Sequence, residues 1–123
     1  MRWAWHQAEG ALASNGIVVA HGYAGCEQGI NNPACQYIED FGPIPQGLWL
    51  MVSIFDSPEH GPYCIRLLAA EHTYTGDRSG FLVHGDSKAH AGERVASKGC
   101  IILPRAARIM LWQSEEHQLL VVP

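Results

Sequence analysis

Two residues in this chain have the types that support nucleophilic chemistry, and the sequence around them is ordered. The segment Phe81 to Leu103 reads FLVHGDSKAHAGERVASKGCIIL. His84 closes the apolar run Phe81-Leu82-Val83, and Cys100 opens the apolar run Ile101-Ile102-Leu103. A thiolate is the reactive form of cysteine, and an imidazole can take the thiol proton or stabilise the thiolate as an ion pair. Ser97-Lys98-Gly99 leads into the cysteine. Gly99 allows close approach of substrate to backbone, and the amides around Gly99 and Cys100 are candidates for binding a developing oxyanion. Lys98 would favour the thiolate. The bland reading is a buried cysteine that packs as a small hydrophobe beside a core histidine.

His90 is a rival base, ten residues before the cysteine. His84 is the better candidate because it ends an apolar strand and precedes Gly85, whereas His90 sits in a polar spacer. Asp86 would either orient an imidazole or cap the turn. Arg78, just before the His84 strand, is either a carboxylate-binding guanidinium or a solvated loop residue.

For these groups to act together, two short strands must lie side by side. Each run is short, apolar and partly β-branched, as buried strands are. If they are neighbours, His84 and Cys100 can meet at one end of the sheet. The rest of the chain reads the same way. Residues 2–7 form a strand with Trp3 and Trp5 on one face, turning at Glu9-Gly10 or Ser14-Asn15-Gly16 into a strand over 17–21. Residues 21–45 are a long Gly/Asn/Pro-rich connection with a helical turn at 36–40. Strands follow over 48–55 and 63–70. Pro104 starts a helix in which Ile109 and Trp112 face the sheet, and 118–122 closes the fold. About seven strands, one or two short helices and a long Gly/Pro-rich loop make an all-β sandwich or small barrel.

Composition narrows the function. The chain has 123 residues, 47% hydrophobic and 16% charged, enough for a single domain over 1–123. Its net charge of −4 offers no basic stripe for nucleic acid. No run reaches the roughly 18 apolar residues of a membrane span. No signal peptide is visible at MRWAWHQAEG. The expectation is therefore a protein with no membrane insertion that either stays inside the cell or is exported by other machinery. Cys26 and Cys35 lie in a turn-rich segment and can pair as a disulfide in an oxidising compartment or stay free. Cys64 reads as core.

At this point the chain resembles a known family. H-x15-C ending in S-K-G-C-I looks like the L,D-transpeptidase signature. The resemblance makes His84 the base, Cys100 the acylated nucleophile, Ser97 the small hydroxyl, Gly99 the signature glycine and the Gly85 carbonyl the third partner. Lys98 and Ile102 depart from side chains common in that family. The segments N-N-P and G-P-I-P-x-G are similar to those of the small toxic L,D-transpeptidase effectors exported by bacterial type VI secretion, and Arg78-Ser79-Gly80 matches a pattern there. The resemblance implies a β-sandwich and acyl transfer on peptidoglycan stem peptides, with water or a D-amino acid as acceptor and without cofactor. It also implies action in the target-cell periplasm and an immunity protein in the producer.

Two other classes compete. A zinc hydrolase would use His84, His90 and Cys100, with Asp86 as a further ligand, although no H-E-x-x-H spacing is present. A non-catalytic wall-binding β-domain would use Trp3, Trp5, Trp49 and Trp112 as a carbohydrate platform, although tryptophans at these spacings are more often core.

Overall fold

The computed structural model describes residues 2–123. Nine strands form one sheet: β1 (Trp3–His6), β2 (Ala11–Ser14), β3 (Ile17–His21), β4 (Tyr23–Ala24), β5 (Gly47–Ser57), β6 (Gly61–Ala69), β7 (Leu82–His84), β8 (Ile101–Ile102) and β9 (Gln118–Val122). One helix, α1 (Arg105–Gln113), and two 3-10 turns at Glu27–Gly29 and Pro33–Cys35 complete the elements among the described residues. The all-β expectation holds. The strands the sequence pattern missed are β2, hidden in the turn-rich run after Gln7, and the two-residue β4.

The strand order is β3-β2-β1-β9-β5-β6-β7-β8-β4. Most neighbours are antiparallel, while β1 with β9 and β7 with β8 run parallel. The two edge strands, β3 and β4, are consecutive in the chain with only Gly22 between them. Two residues of chain span at most about 7 Å, so the sheet must roll until its edges come together at Gly22. The position demands glycine: a Cβ there would lie 1.8 Å from the Ile102 carbonyl oxygen.

Rolling encloses one apolar core. Trp3, Trp5, Leu12, Trp49, Ile65 and Val83 are among the side chains that meet inside it. Trp3, Trp5 and Trp49 are thus core, and Trp112 is half-buried with its ring stacked on His117 at 3.9 Å. They form no exposed carbohydrate platform. Helix α1 begins after Pro104 and packs on β6 and β7. Its inward residues are Ala107, Arg108 and Leu111, an i, i+4 stripe. The expected pair is corrected in part by this phase: Trp112 packs against the core at the edge of the stripe, Ile109 sits at its flank, and Met110 is exposed. No described helix is long and apolar enough to cross a membrane.

The connection from Gly25 to Gln46 is ordered by buried polar contacts. Its 3-10 turns fall at Glu27–Gly29 and Pro33–Cys35, the second capped by the Asn32 side chain accepting from the Ala34 amide, and residues 36–40 follow as turns with the Gly42 amide donating to the Ile38 carbonyl. Gln7, fully buried, donates to the Ile44 carbonyl at 2.9 Å and accepts from Gln46 at 2.9 Å. Trp49 Nε1 donates to the Pro45 carbonyl. These bonds fix the Pro43-Ile44-Pro45 run against the sheet beside the loop that carries Cys100.

Candidate active site

The loop that ends in Cys100 is pinned by a single hydroxyl. Ser97 Oγ donates to the Cys100 carbonyl at 2.6 Å and accepts from the amides of Gly25 at 2.9 Å and Gly99 at 3.0 Å. One donor and two acceptor positions exhaust a serine hydroxyl. The Gly99 amide is therefore committed to Ser97 and unavailable to an oxyanion, which corrects the expectation of two amides. The Cys100 amide hydrogen-bonds its own resting thiol and has no other backbone partner in the described loops, so it is the donor that remains once the sulfur turns away. Gly99 has φ +144°, and a Cβ would stand 2.5 Å from Arg78 Nη2, so conformation and space both require glycine.

Arg78 holds the same loop from the other side. It is buried, and its guanidinium donates to four carbonyls: Gln36 at 2.6 Å, Pro43 at 2.9 Å, Gly42 at 3.0 Å and Lys98 at 3.0 Å. It also lies over the Phe81 ring. Both terminal nitrogens are taken up by the protein's own backbone, so Arg78 is neither a solvated loop residue nor a free carboxylate fork. It clamps the 36–43 connection to the cysteine loop. The Lys98 side chain is exposed.

The thiol itself sits at the start of β7. Its sulfur accepts from the Leu82 amide at 3.3 Å and lies 3.9 Å from the Gly80 carbonyl. Burial pushes the thiol pKa up, while the Leu82 amide and the Arg78 charge pull it down. Arg78, and not Lys98, is the cation that bears on it. Burial dominates, so the resting group is a neutral thiol.

His84 sits at the far end of the same short strand. β7 and β8 pair in parallel with His84 opposite Ile102 and Val83 opposite Ile101, so one step further back Leu82 stands opposite Cys100. At about 3.3 Å per residue and about 4.8 Å between strands, the Cα atoms of His84 and Cys100 are about 8 Å apart. The two strands are neighbours as expected, but the pair lies on a diagonal instead of at one end, and no hydrogen bond joins the side chains.

The imidazole is buried and oriented. His84 Nδ1 is 2.9 Å from the Gly85 carbonyl, an acceptor, so the neutral ring carries its proton on Nδ1 and its lone pair on Nε2. Trp5 Nε1 is the one sealed side-chain polar atom without a partner among the described residues. His84 Nε2, which makes no hydrogen bond, is therefore not fully sealed, and His84 lines a cavity beside the strand. Burial pulls the His84 pKa down to about 4; the Gly85 carbonyl opposes this, and His60 and Arg108 add to it.

Two cavities flank the strand. One, of about 130 Å³, is lined by Cys100, Gly99, Gly80, Arg78, Asp40 and Glu39. The other, of about 810 Å³, holds His84, Gly85, His60, His90, Arg105 and Arg108.

A family model, the Tlde1 domain, matches residues 18–122. The chain belongs to the Tlde1 domain family, a family of type VI effectors. No curated protein matches it. The match spans every element from β3 to β9 and so takes in both halves of the candidate site.

In this Tlde1 domain the remaining predicted residues have plain structural partners. Asp86 accepts from Tyr23 Oη at 2.7 Å and from the amides of Ser87 and Gly92 at 2.9 Å each, so it caps its own loop and makes no bond to an imidazole. Burial, with Asp86 next, pushes the Tyr23 pKa up to about 12. His90 is exposed with Nδ1 at 3.0 Å from Glu93. Cys26 and Cys35 stand as free thiols, not bridged, and Cys26 Sγ donates to the Asp40 carbonyl. Cys64 is core. Among the described residues no three of His, Cys, Asp and Glu lie close enough to share a metal ion, so His84, His90, Asp86 and Cys100 form no zinc set.

Two neighbours of the site were not singled out by the sequence. His60 stacks on His84 with ring centroids 4.1 Å apart and planes 24° from parallel. Arg108, buried in α1, donates to the carbonyls of Leu103 at 2.5 Å, Tyr63 at 3.0 Å and Pro62 at 3.2 Å. A Cβ on Gly85 would meet its Nη1 at 3.0 Å. An arginine within an otherwise apolar helix stripe is the one signal for Arg108 in the sequence. Nothing local marks His60.

Proposed function

We propose that this Tlde1 domain is a cysteine acyltransferase of the L,D-transpeptidase type, acting on peptidoglycan stem tetrapeptides as an antibacterial effector in the periplasm of a target cell. The observation that carries this reading is the His84 imidazole: it is neutral, its Nδ1 proton is held by the Gly85 carbonyl, and its Nε2 lone pair is open to a cavity one strand from Cys100. That is a base awaiting a proton, beside a thiol that has one.

The reaction follows from those groups. A cysteine side chain has three staggered positions, and rotation about Cα–Cβ swings the sulfur away from the Leu82 amide. Catalytic hydrogen bonds commonly tighten only when substrate is bound. His84 Nε2 takes the thiol proton, and the sulfur forms a bond to the carbonyl carbon of the third stem residue, meso-diaminopimelate or L-lysine. The displaced π electrons rest on oxygen, opposite the Cys100 amide. The intermediate collapses, the C–N bond breaks, and D-alanine leaves with the proton from the imidazolium. Water or the amine of a D-amino acid then gives a proton to His84 and attacks the thioester, releasing the thiolate to be reprotonated. Water yields L,D-carboxypeptidation, and a D-amino acid yields exchange. Such an activity weakens the wall of the recipient and requires an immunity protein in the producer.

The test is incubation of the protein with tetrapeptide muropeptides, with and without D-methionine, read by mass spectrometry. The expected products are tripeptide and D-methionine-terminated tetrapeptide, both absent with Cys100→Ala. Unchanged muropeptides, or products that persist with Cys100→Ala, would overturn the proposal.

A further inference from the structure

We propose that His60 is a positioning residue for His84, holding its ring plane and keeping it uncharged for proton abstraction from Cys100. The inference rests on His84 being the base, as argued above, and extends it to a residue outside the matched signature.

The contact is built, not incidental. His60 sits in the tight turn between β5 and β6, where Ser57 Oγ accepts from the amides of Glu59 at 3.2 Å and His60 at 3.1 Å. The turn is tied down again where Arg108 donates to the carbonyls of Pro62 and Tyr63. The same guanidinium lies against Gly85, whose carbonyl holds His84 Nδ1. Thus one face of the His84 ring is covered by His60, its Nδ1 edge is held by Gly85, and both supports converge on Arg108. Nε2 is left to the cavity.

The chemical consequence concerns protonation. An imidazolium stacked on an imidazolium is unfavourable, and covering the ring withholds water from its charged form. Other charged groups also face His84: Arg108 from α1 and Asp86 from the following loop, the first opposing protonation and the second favouring it. Glu59, Arg105, Lys88 and His90 border the same cavity. His60 is the member of this set in ring-to-ring contact.

Two variants separate cover from charge. His60→Phe keeps an aromatic face and removes the charge; His60→Ala removes both. The titration of His84 is followed by NMR in a Cys100→Ala background, and the acid limb of kcat/KM is followed in the active protein. Burial places the His84 pKa at about 4, so both are expected near pH 4 in the parent. The expected result is an upward shift of both in His60→Phe, with plateau turnover within a few-fold, and a larger shift toward the ordinary histidine range in His60→Ala, with turnover down about tenfold. Full turnover in His84→Gln overturns the base assignment and with it the role of His60. Loss of turnover in His84→Gln, with titration and acid limb unmoved in both His60 variants, overturns this inference alone.

Discussion

The amide of Leu82 donates to the sulfur of Cys100 at 3.3 Å, two residues before His84 on the same strand. The resting thiol is therefore held by backbone at the start of β7 while the His84 imidazole lies at its end. Burial keeps the thiol protonated and the imidazole uncharged. Under the proposed acyl transfer, this site would store its proton on sulfur and move it only during the reaction.

Thiol reactivity reports that arrangement. Alkylation of Cys100 by iodoacetamide, followed by peptide mass spectrometry, is expected to be slow at pH 7 and to keep rising beyond the ordinary thiol range, because the thiolate is the reacting form. Rapid alkylation that is flat between pH 5 and 8 would indicate a preformed thiolate.

Arg78 is expected to matter for the fold before it matters for chemistry. Arg78→Met leaves the carbonyls of Gln36, Gly42, Pro43 and Lys98 without their donor. Unpaired buried acceptors cost about 1–3 kcal/mol each, not fully additively, so a loss of about 3 kcal/mol or more is expected in urea unfolding. Arg78→Lys should recover little, since an ammonium cannot reproduce the planar fork. A change below about 0.5 kcal/mol would refute the clamp.

Ser97→Ala removes the hydroxyl that joins Gly25, Gly99 and Cys100. The Gly99 amide is freed and the Cys100 peptide loses its anchor. Displacing a nucleophile by about 1 Å costs about 100-fold in rate. A fall of that order in kcat/KM is expected, with a folded protein by circular dichroism. Turnover within twofold of the parent would show that the loop holds itself.

Histidine burial also has a stability signature. His84 has a folded pKa near 4 against an ordinary value of 6.5. The unfolded chain thus binds a proton more readily between those values, and stability falls as pH drops through that window. The full difference is on the order of 3 kcal/mol. Chemical unfolding of His84→Gln, measured from pH 7 to 4, should show a flatter pH dependence than the parent. Parallel curves would mean that His84 is solvated.

The legible part of this molecule was local. The apolar runs before His84 and after Cys100 announced β7 and β8, and Gly99 in the S-K-G-C run announced a close backbone approach, because glycine and strand signals act over a few residues. What stayed hidden was set by tertiary contact. Ala11 to Ser14 joins the sheet only because β1 and β3 flank it. Arg78 looked like a solvent or substrate residue because its four carbonyl partners come from three separate stretches of chain. His60 and His84 meet although twenty-four positions separate them. The diagonal offset of His84 and Cys100 follows from parallel register, which no short motif encodes.

The most direct measurement is intact-protein mass spectrometry of the enzyme quenched in acid soon after mixing with a stem tetrapeptide. The account predicts a covalent adduct at Cys100 equal in mass to the peptide less D-alanine, strongly reduced in His84→Gln and unaffected by His90→Gln. No adduct under conditions of turnover, or an adduct that depends on His90 and not on His84, would contradict it.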